Sequence, residues 1–173
     1  MISKYESSLL SIISSWGMEM RNVECKKMEA IKSVVISKNG LQNNPETLQH
    51  IITNYNVVND IDTNKAILNT SDVIYIDYSD IAWAHSILKR CRSDKLCFLK
   101  PIASLSHEST PSEDSLLDAN IFLENPFPQT SPTIDSLFHI AKELKQYDPI
   151  PQGIQEEKID EINVLRFLSA RSN

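Results

Sequence analysis

Short runs dense in Val, Ile and Leu take turns along this chain with longer stretches whose apolar residues recur at helical spacing. The first rhythm marks buried strands and the second amphipathic helices. Residues 3–16 carry Tyr5, Leu9, Ile12, Ile13 and Trp16 at helical spacing, with Ser3 placed to cap the helix and Gly17 to end it. MEMRNVEC (18–25) alternates as a strand would, and KKMEA (26–30) is a polar connection. IKSVVISKN (31–39) predicts a strand around Val34, Val35 and Ile36. NNPETLQHIITNY (43–55) predicts a helix, with Asn44 as cap, Pro45 in the first turn and Leu48, Ile51 and Ile52 as its stripe.

NVV (56–58) reads as a short strand, TNKAILNTS (63–71) as a short helix, and DVIYID (72–77) as the central strand. IAWAHSILKRC (81–91) puts Ile81, Ala84, Ile87 and Leu88 on one helical face. KLCFL (95–99) predicts the next strand, and SLSHESTPSEDS (104–115) a polar loop. SEDSLLDA (112–119) begins a short helix, and NIFLEN (120–125) is a last strand that Pro126 and Pro128 break. SPTIDSLFHIAKELKQY (131–147) is the clearest helix, with Ile134, Leu137, Phe138, Ala141 and Leu144 on one face. DPIPQG (148–153) is a linker, and a new helix starts in 154–173. That helix stops without a closing element, as expected of one that leads into a further domain or packs on a partner.

From 31 to 147 the elements therefore alternate strictly, strand and helix. Such alternation implies a parallel sheet with helices on both faces. The expected fold is an α/β three-layer sandwich, flavodoxin-like, with five strands in the order 2-1-3-4-5. Residues 1–30 would add a helix and an edge strand, and 148–173 a linker and helix.

Composition narrows the function classes. The 173 residues are 41% hydrophobic and 23% charged, as in a soluble globular protein. The net charge of −6 argues against a nucleic-acid surface covering the whole molecule. No apolar run reaches membrane-spanning length, and the start lacks the pattern of a signal peptide. With three glycines and no G-x-G-x-x-G or Walker A motif, a phosphate-cradling loop is not expected. Cys25, Cys91 and Cys97 read as reduced thiols of a cytoplasmic protein. Cys91 and Cys97 match no thiol motif and read as buried apolar residues. His50, His85, His107 and His139 are scattered and read as solvated or helix-face residues. Trp83 is either a partner anchor or core.

DVIYID, SVVISKNG (33–40) and DANIFLENPFPQTSPTIDSLFHIAKELKQ (118–146) come in the order and spacing of the receiver domain of two-component response regulators, and the layout of 31–147 resembles that family. The resemblance places Asp77 where the family carries its phosphate-accepting Asp. It places Ser37 and Lys38, or Lys38 and Asn39, at the acidic pair that holds magnesium. Lys100, or Ser104 if the register slides, falls at the Ser/Thr ending the fourth strand, and Asn125 at the conserved Lys. SLLSIISSWGMEMRNVE (8–24) is similar to a receiver's first helix and second strand, either as the remnant of a second unit or as an added helix and edge strand.

The departures decide the expected function. Mg²⁺ takes hard oxygen ligands, and neither choice at the acidic pair supplies a carboxylate. An amide at 125 has no charge to balance a phosphoryl group. Asp77 is then expected to pair with Lys38 or Lys100 as a relic carboxylate. The resemblance implies a degenerate, non-catalytic, cytoplasmic and bacterial regulatory module without cofactor or metal. It would act through a homodimer or another signalling protein, with an output domain after residue 173 and no membrane or nucleic-acid contact. The paired face of the family would include Glu124, His139, Lys142, Glu143 and Gln146. Two alternatives remain at this stage: a phosphorylatable receiver with Asp77 as acceptor, and a nucleotide or metabolite sensor over Lys38, Asp77 and Lys100.

Overall fold

Two β-branched runs, SVVI and VIYID, lie side by side at the centre of a five-stranded parallel sheet. The computed structural model describes residues 31–41, 48, 52, 54–95, 97–106, 116–123 and 131–172. The strands are β1 (Ser33–Ile36), β2 (Tyr55–Val58), β3 (Val73–Asp77), β4 (Ile102–Ser106) and β5 (Ala119–Phe122). Their order is β2-β1-β3-β4-β5 and every pairing is parallel. The helices are α1 (Lys65–Thr70), entered through a 3₁₀ turn at Asp62–Asn64, α2 (Ile81–Ser93), α3 (Ser131–Lys145) and α4 (Glu156–Ala170). The α/β architecture and the strand order expected from the sequence are both present, as in flavodoxin-like folds.

The two-residue period of a strand divides the sheet's side chains between two faces. Val34, Ile36, Ile74, Ile76 and Ile102 join one cluster with Leu68 of α1 and with Ala84, Ile87, Leu88 and Cys91 of α2. Trp83, half-buried, packs against this cluster. Val35, Tyr75, Ala103, Leu105 and Ile121 alternate with that set and are equally buried. On α3, Leu137, Ile140 and Ala141 are buried, and this helix packs on β5 and β3.

Two expectations fail between Lys95 and Ala119. The described residues of KLCFL do not form a strand, because the Cys97 and Phe98 amide groups are consumed locally. Cys97 and Phe98 N–H donate to the Asp94 carbonyl at 3.2 and 2.8 Å, and Lys100 N–H donates to the Cys97 carbonyl at 3.1 Å. An N–H bonded within a turn cannot also enter a ladder. The strand is IASLS instead, whose last three residues fall in the stretch read as a polar loop. Ser104 is tolerated there at 1% exposure because its hydroxyl donates to Asn120 Oδ1 at 2.6 Å. The helix expected over 112–119 is also absent from its described part, since Leu116 lies in a turn and Ala119 opens β5. The helix expected over 43–55 shows helical Leu48, to whose carbonyl Ile52 N–H donates at 2.8 Å, and gives way to β2 at Tyr55. The elements expected in 3–30, with Cys25, and most of 43–53, with His50, lie outside the described residues. So do 107–115, with His107, and 124–130, with Pro126 and Pro128.

Within the unit Lys32–Asn173, α4 folds back onto the α/β body. Phe167 is its apolar anchor, 5.3 Å between ring centroids from Phe98. The outer side of the helix leaves Val164, Leu165 and Leu168 exposed.

Candidate functional site

In a parallel sheet all carboxyl ends share one edge, so the ends of β1, β3 and β4 bring Ser37, Asp77 and Ser106 to the same rim. Asp77 is 4% exposed and Ser37 is fully buried. The Ser37 hydroxyl donates to Asp77 Oδ2 at 2.7 Å and accepts from Leu41 N–H at 3.1 Å. That second bond needs the chain to turn back sharply after β1. Gly40 at φ 77° and Leu41 at φ 55° make the turn, both in the left-handed region where glycine is the unstrained residue. The other carboxylate oxygen of Asp77, Oδ1, accepts from Ser79 N–H at 3.0 Å. Asp77 thus spends both oxygens on neutral donors that hold two loops against the sheet edge.

Lys38 does not pair with Asp77 as expected. Its ammonium donates to Asp80 Oδ2 at 2.9 Å, on the exposed rim. Asp80 is the N-cap of α2, and its Oδ1 accepts Trp83 N–H at 3.1 Å. The hydrogen bond from Lys38, then that from Trp83 N–H, holds the Asp80 carboxyl below its ordinary range. Asp80 is the rim residue that the sequence reading passed over. The rule that an Asp immediately before an apolar helical run is a cap would have found it.

Lys100 is excluded from this rim by strand direction. It precedes β4, so it stands at the amino edge of the sheet, opposite the carboxyl end where Asp77 lies. Its ammonium donates to the carbonyls of Leu68 and Asn69, the latter at 3.0 Å. These carbonyls lie in the last turn of α1, where a cation is favoured, and Ser71 N–H shares the Leu68 carbonyl at 3.3 Å. Burial nevertheless pulls the Lys100 ammonium below its ordinary range. The residue that ends the fourth strand is Ser106, not Lys100 or Ser104. Asn125 and Glu124 lie outside the described residues.

The four described interface candidates fall along or just past α3, with His139, Lys142 and Gln146 exposed and Glu143 half-buried. His139 lines an open cleft of about 480 Å³ with Asp118, Asp135, Ser136 and Arg171.

One polar cluster had no signal in the sequence pattern. Asp118, just before β5, accepts from Arg92 Nη2 at 2.9 Å and from Arg171 Nε at 2.6 Å. Its Oδ2 also takes Ile102 N–H at 2.9 Å. Arg92 donates further to the carbonyls of Leu116, Phe98 and Lys100, and Arg171 to those of Leu99, Lys100 and Phe167. The Phe167 ring lies 3.7 Å from the Arg171 guanidinium carbon and 5.2 Å from that of Arg92. Desolvation pulls the Arg92 guanidinium below its ordinary range, with Asp118 opposing it. This cluster fastens α4 to the amino edge of the sheet.

Chemically, the carboxyl edge offers one carboxylate that accepts a neutral donor at each oxygen and a second one paired with an ammonium. Among the described residues, no group of three His, Cys, Asp or Glu gathers in a way that suits a metal ion. No known family model matches the sequence, and a search of curated proteins finds no significant match.

Proposed function

We propose that this chain is a receiver-like regulatory module without phosphoryl chemistry, working by protein–protein contact within a signalling assembly. The observation that carries this reading is the Ser37–Asp77 hydrogen bond. A receiver uses the position after its first strand for a carboxylate that helps hold Mg²⁺ beside the acceptor Asp. Here a buried hydroxyl stands at that position and occupies one oxygen of the acceptor. The neighbouring residue is a lysine committed to Asp80. A hard dication binds carboxylates in preference to a hydroxyl or an ammonium, and bringing Mg²⁺ beside Lys38 adds like-charge repulsion. A receiver's switch is thereby replaced by a fixed contact, and the module presents a single surface.

Thermal unfolding with beryllofluoride and Mg²⁺ tests this. The wild-type melting temperature is expected to stay within error of the untreated protein, since a ligand stabilises only in proportion to its occupancy. A rise that Asp77→Asn abolishes would overturn the proposal. Replacing Ser37 and Lys38 together by Asp restores two carboxylates, and that variant is expected to gain a response to Mg²⁺. Sedimentation of the full chain tests the contact surface. Charge reversal at Lys142 and Glu143 is expected to weaken self-association, and a monomer at all concentrations transfers the contact to a different signalling protein.

A further inference from the structure

The turn that leaves β1 runs through Ser37, Lys38, Asn39, Gly40 and Leu41, and it holds the chain's one Asn-Gly pair. Lys38, Asn39 and Gly40 are exposed, while Ser37 and Leu41 on either side are buried. A side chain added at Gly40 would meet nothing within 4 Å, so this peptide faces open space. Among the described residues, neither the Asn39 side chain nor the Gly40 N–H takes part in a hydrogen bond or ion pair. No contact of the Asp77 pocket uses the Asn39 amide.

An asparagine carries an amide carbon on which the next backbone nitrogen can close a five-membered ring. Three things ordinarily prevent this. A side chain on the next residue blocks the approach, a hydrogen bond occupies the nitrogen, or a rigid backbone keeps the two atoms apart. Glycine removes the first obstacle, and the free Gly40 N–H removes the second. The third is weakened by an exposed turn with Gly40 at φ 77°.

We propose that Asn39 is a spontaneous modification site, at which deamidation to isoaspartate undoes the contact that seats Ser37 on Asp77. The Gly40 nitrogen gives its proton to hydroxide and attacks Asn39 Cγ. The N–Cγ bond forms, the Cγ–Nδ2 bond breaks, and the departing nitrogen takes a proton from water to leave as ammonia. A water molecule then opens the succinimide ring at one of its two carbonyls. Attack at Cγ gives aspartate. Attack at the backbone carbonyl carbon gives isoaspartate, whose main chain runs through Cβ and Cγ. One water enters, one ammonia leaves, and no atom changes oxidation state.

The isoaspartyl form adds one carbon to the backbone inside a turn that a specific bond closes. Leu41 N–H reaches back to Ser37 Oγ at 3.1 Å, and that hydroxyl donates to Asp77 Oδ2 at 2.7 Å. Leu41 stands at φ 55°, a strained conformation for a residue with a Cβ, and its bond to Ser37 helps hold it there. A longer backbone lets Leu41 leave that conformation. Ser37 then loses the donor that orients its hydroxyl toward Asp77. The modification acts on the rim through chain length, and its aspartate by-product acts through charge alone.

The test ages the full chain at mildly alkaline pH. Intact mass is expected to rise by about 1 Da, and peptide mapping to place the change at Asn39 as isoaspartate with aspartate. The rate is expected to rise with hydroxide concentration. It is expected to exceed that at Asn59, equally exposed but followed by Asp60, by at least about tenfold, because only glycine leaves the approach open. Asn39→Gln, which would need a six-membered ring, is expected to stay unmodified at this position. In the chromatographically separated isoaspartyl form, Leu41 amide exchange is expected to speed up at least about threefold. Asn39→Asp supplies the charge without the longer backbone, and is expected to keep that exchange within about twofold of the fresh protein. Deamidation at Asn39 no faster than at Asn59, or to aspartate alone, would overturn the proposed site. Isoaspartate with unchanged Leu41 exchange, or equal acceleration in Asn39→Asp, would overturn its effect on the Ser37 contact.

Discussion

Replacing Asp118 by Ala removes the carboxylate that bridges the Arg92 and Arg171 guanidinium groups. The side chains of Arg92, Asp118 and Arg171 are 6%, 10% and 14% exposed, so solvent screens them little. Removing one partner of a buried ion pair costs about 3–5 kcal/mol, because the remaining charge is left uncompensated. Here both arginines keep carbonyl partners, which softens the loss, while Ile102 N–H also loses its acceptor at the start of β4. The lower end, about 3 kcal/mol, is the expected destabilisation in urea unfolding. At about 2–4 °C per kcal/mol for a chain of this size, the melting temperature falls on the order of 10 °C. Asp118→Asn keeps an acceptor and the shape, and is expected to cost less. The Arg171→Ala variant and the double variant complete a cycle, with an expected coupling of about 1–3 kcal/mol. Amide exchange should show α4 opening first, because Arg171 joins it to the body. A loss under about 1 kcal/mol, or strictly additive single variants, would refute the claim that this cluster fastens the helix.

Ser37→Ala leaves the buried Asp77 carboxylate without one donor and Leu41 N–H without its acceptor, and is expected to cost about 1.5–3 kcal/mol in urea. Lys95 and Glu156 join α2's end to the first turn of α4 across 2.5 Å on the exposed surface. Their mutual hydrogen bond raises the Lys95 pKa and lowers that of Glu156. A depressed carboxyl contributes stability above its unfolded pKa that is lost as pH falls through the folded one. A raised amine contributes stability below its unfolded pKa that is lost as pH rises through the folded one. Amide exchange at the start of α4 is therefore expected to be slowest between these limits, and Lys95→Ala should flatten the profile. Phe167→Leu removes the ring beside both guanidiniums, and is expected to speed proteolysis within 148–155 relative to the wild type.

The alternation of SVVI, VIYID and the helices between them was enough to set a parallel α/β layer, because a buried parallel strand must be apolar on both faces, and the strand order followed from the flavodoxin-like pattern that five such strands suit. The same reasoning missed β4. IASLS carries two serines, and its last three residues read as loop, while KLCFL is the more apolar stretch. Only the packed structure shows that Ser104 has a partner in Asn120 and that the Cys97 and Phe98 amides close turns. At the site, Ser37 and Asp77 were legible as neighbours because both follow apolar runs that pair in register. Lys100 was misplaced with the strand, and its distance from Asp77 follows from that single error of register.

By itself the sequence determined the layered α/β architecture, the rim where Asp77 sits and the absence of a carboxylate pair after the first strand. These depend on periodicity and residue type, which are local. Tertiary structure alone decided which donor meets which acceptor: Ser37 with Asp77, Lys38 with Asp80, and two arginines with Asp118. Each of those contacts joins residues between 26 and 53 positions apart, or 40 and 42 at the rim. Burial gives such bonds their strength by removing competing water, and no local pattern records which distant group will be buried alongside.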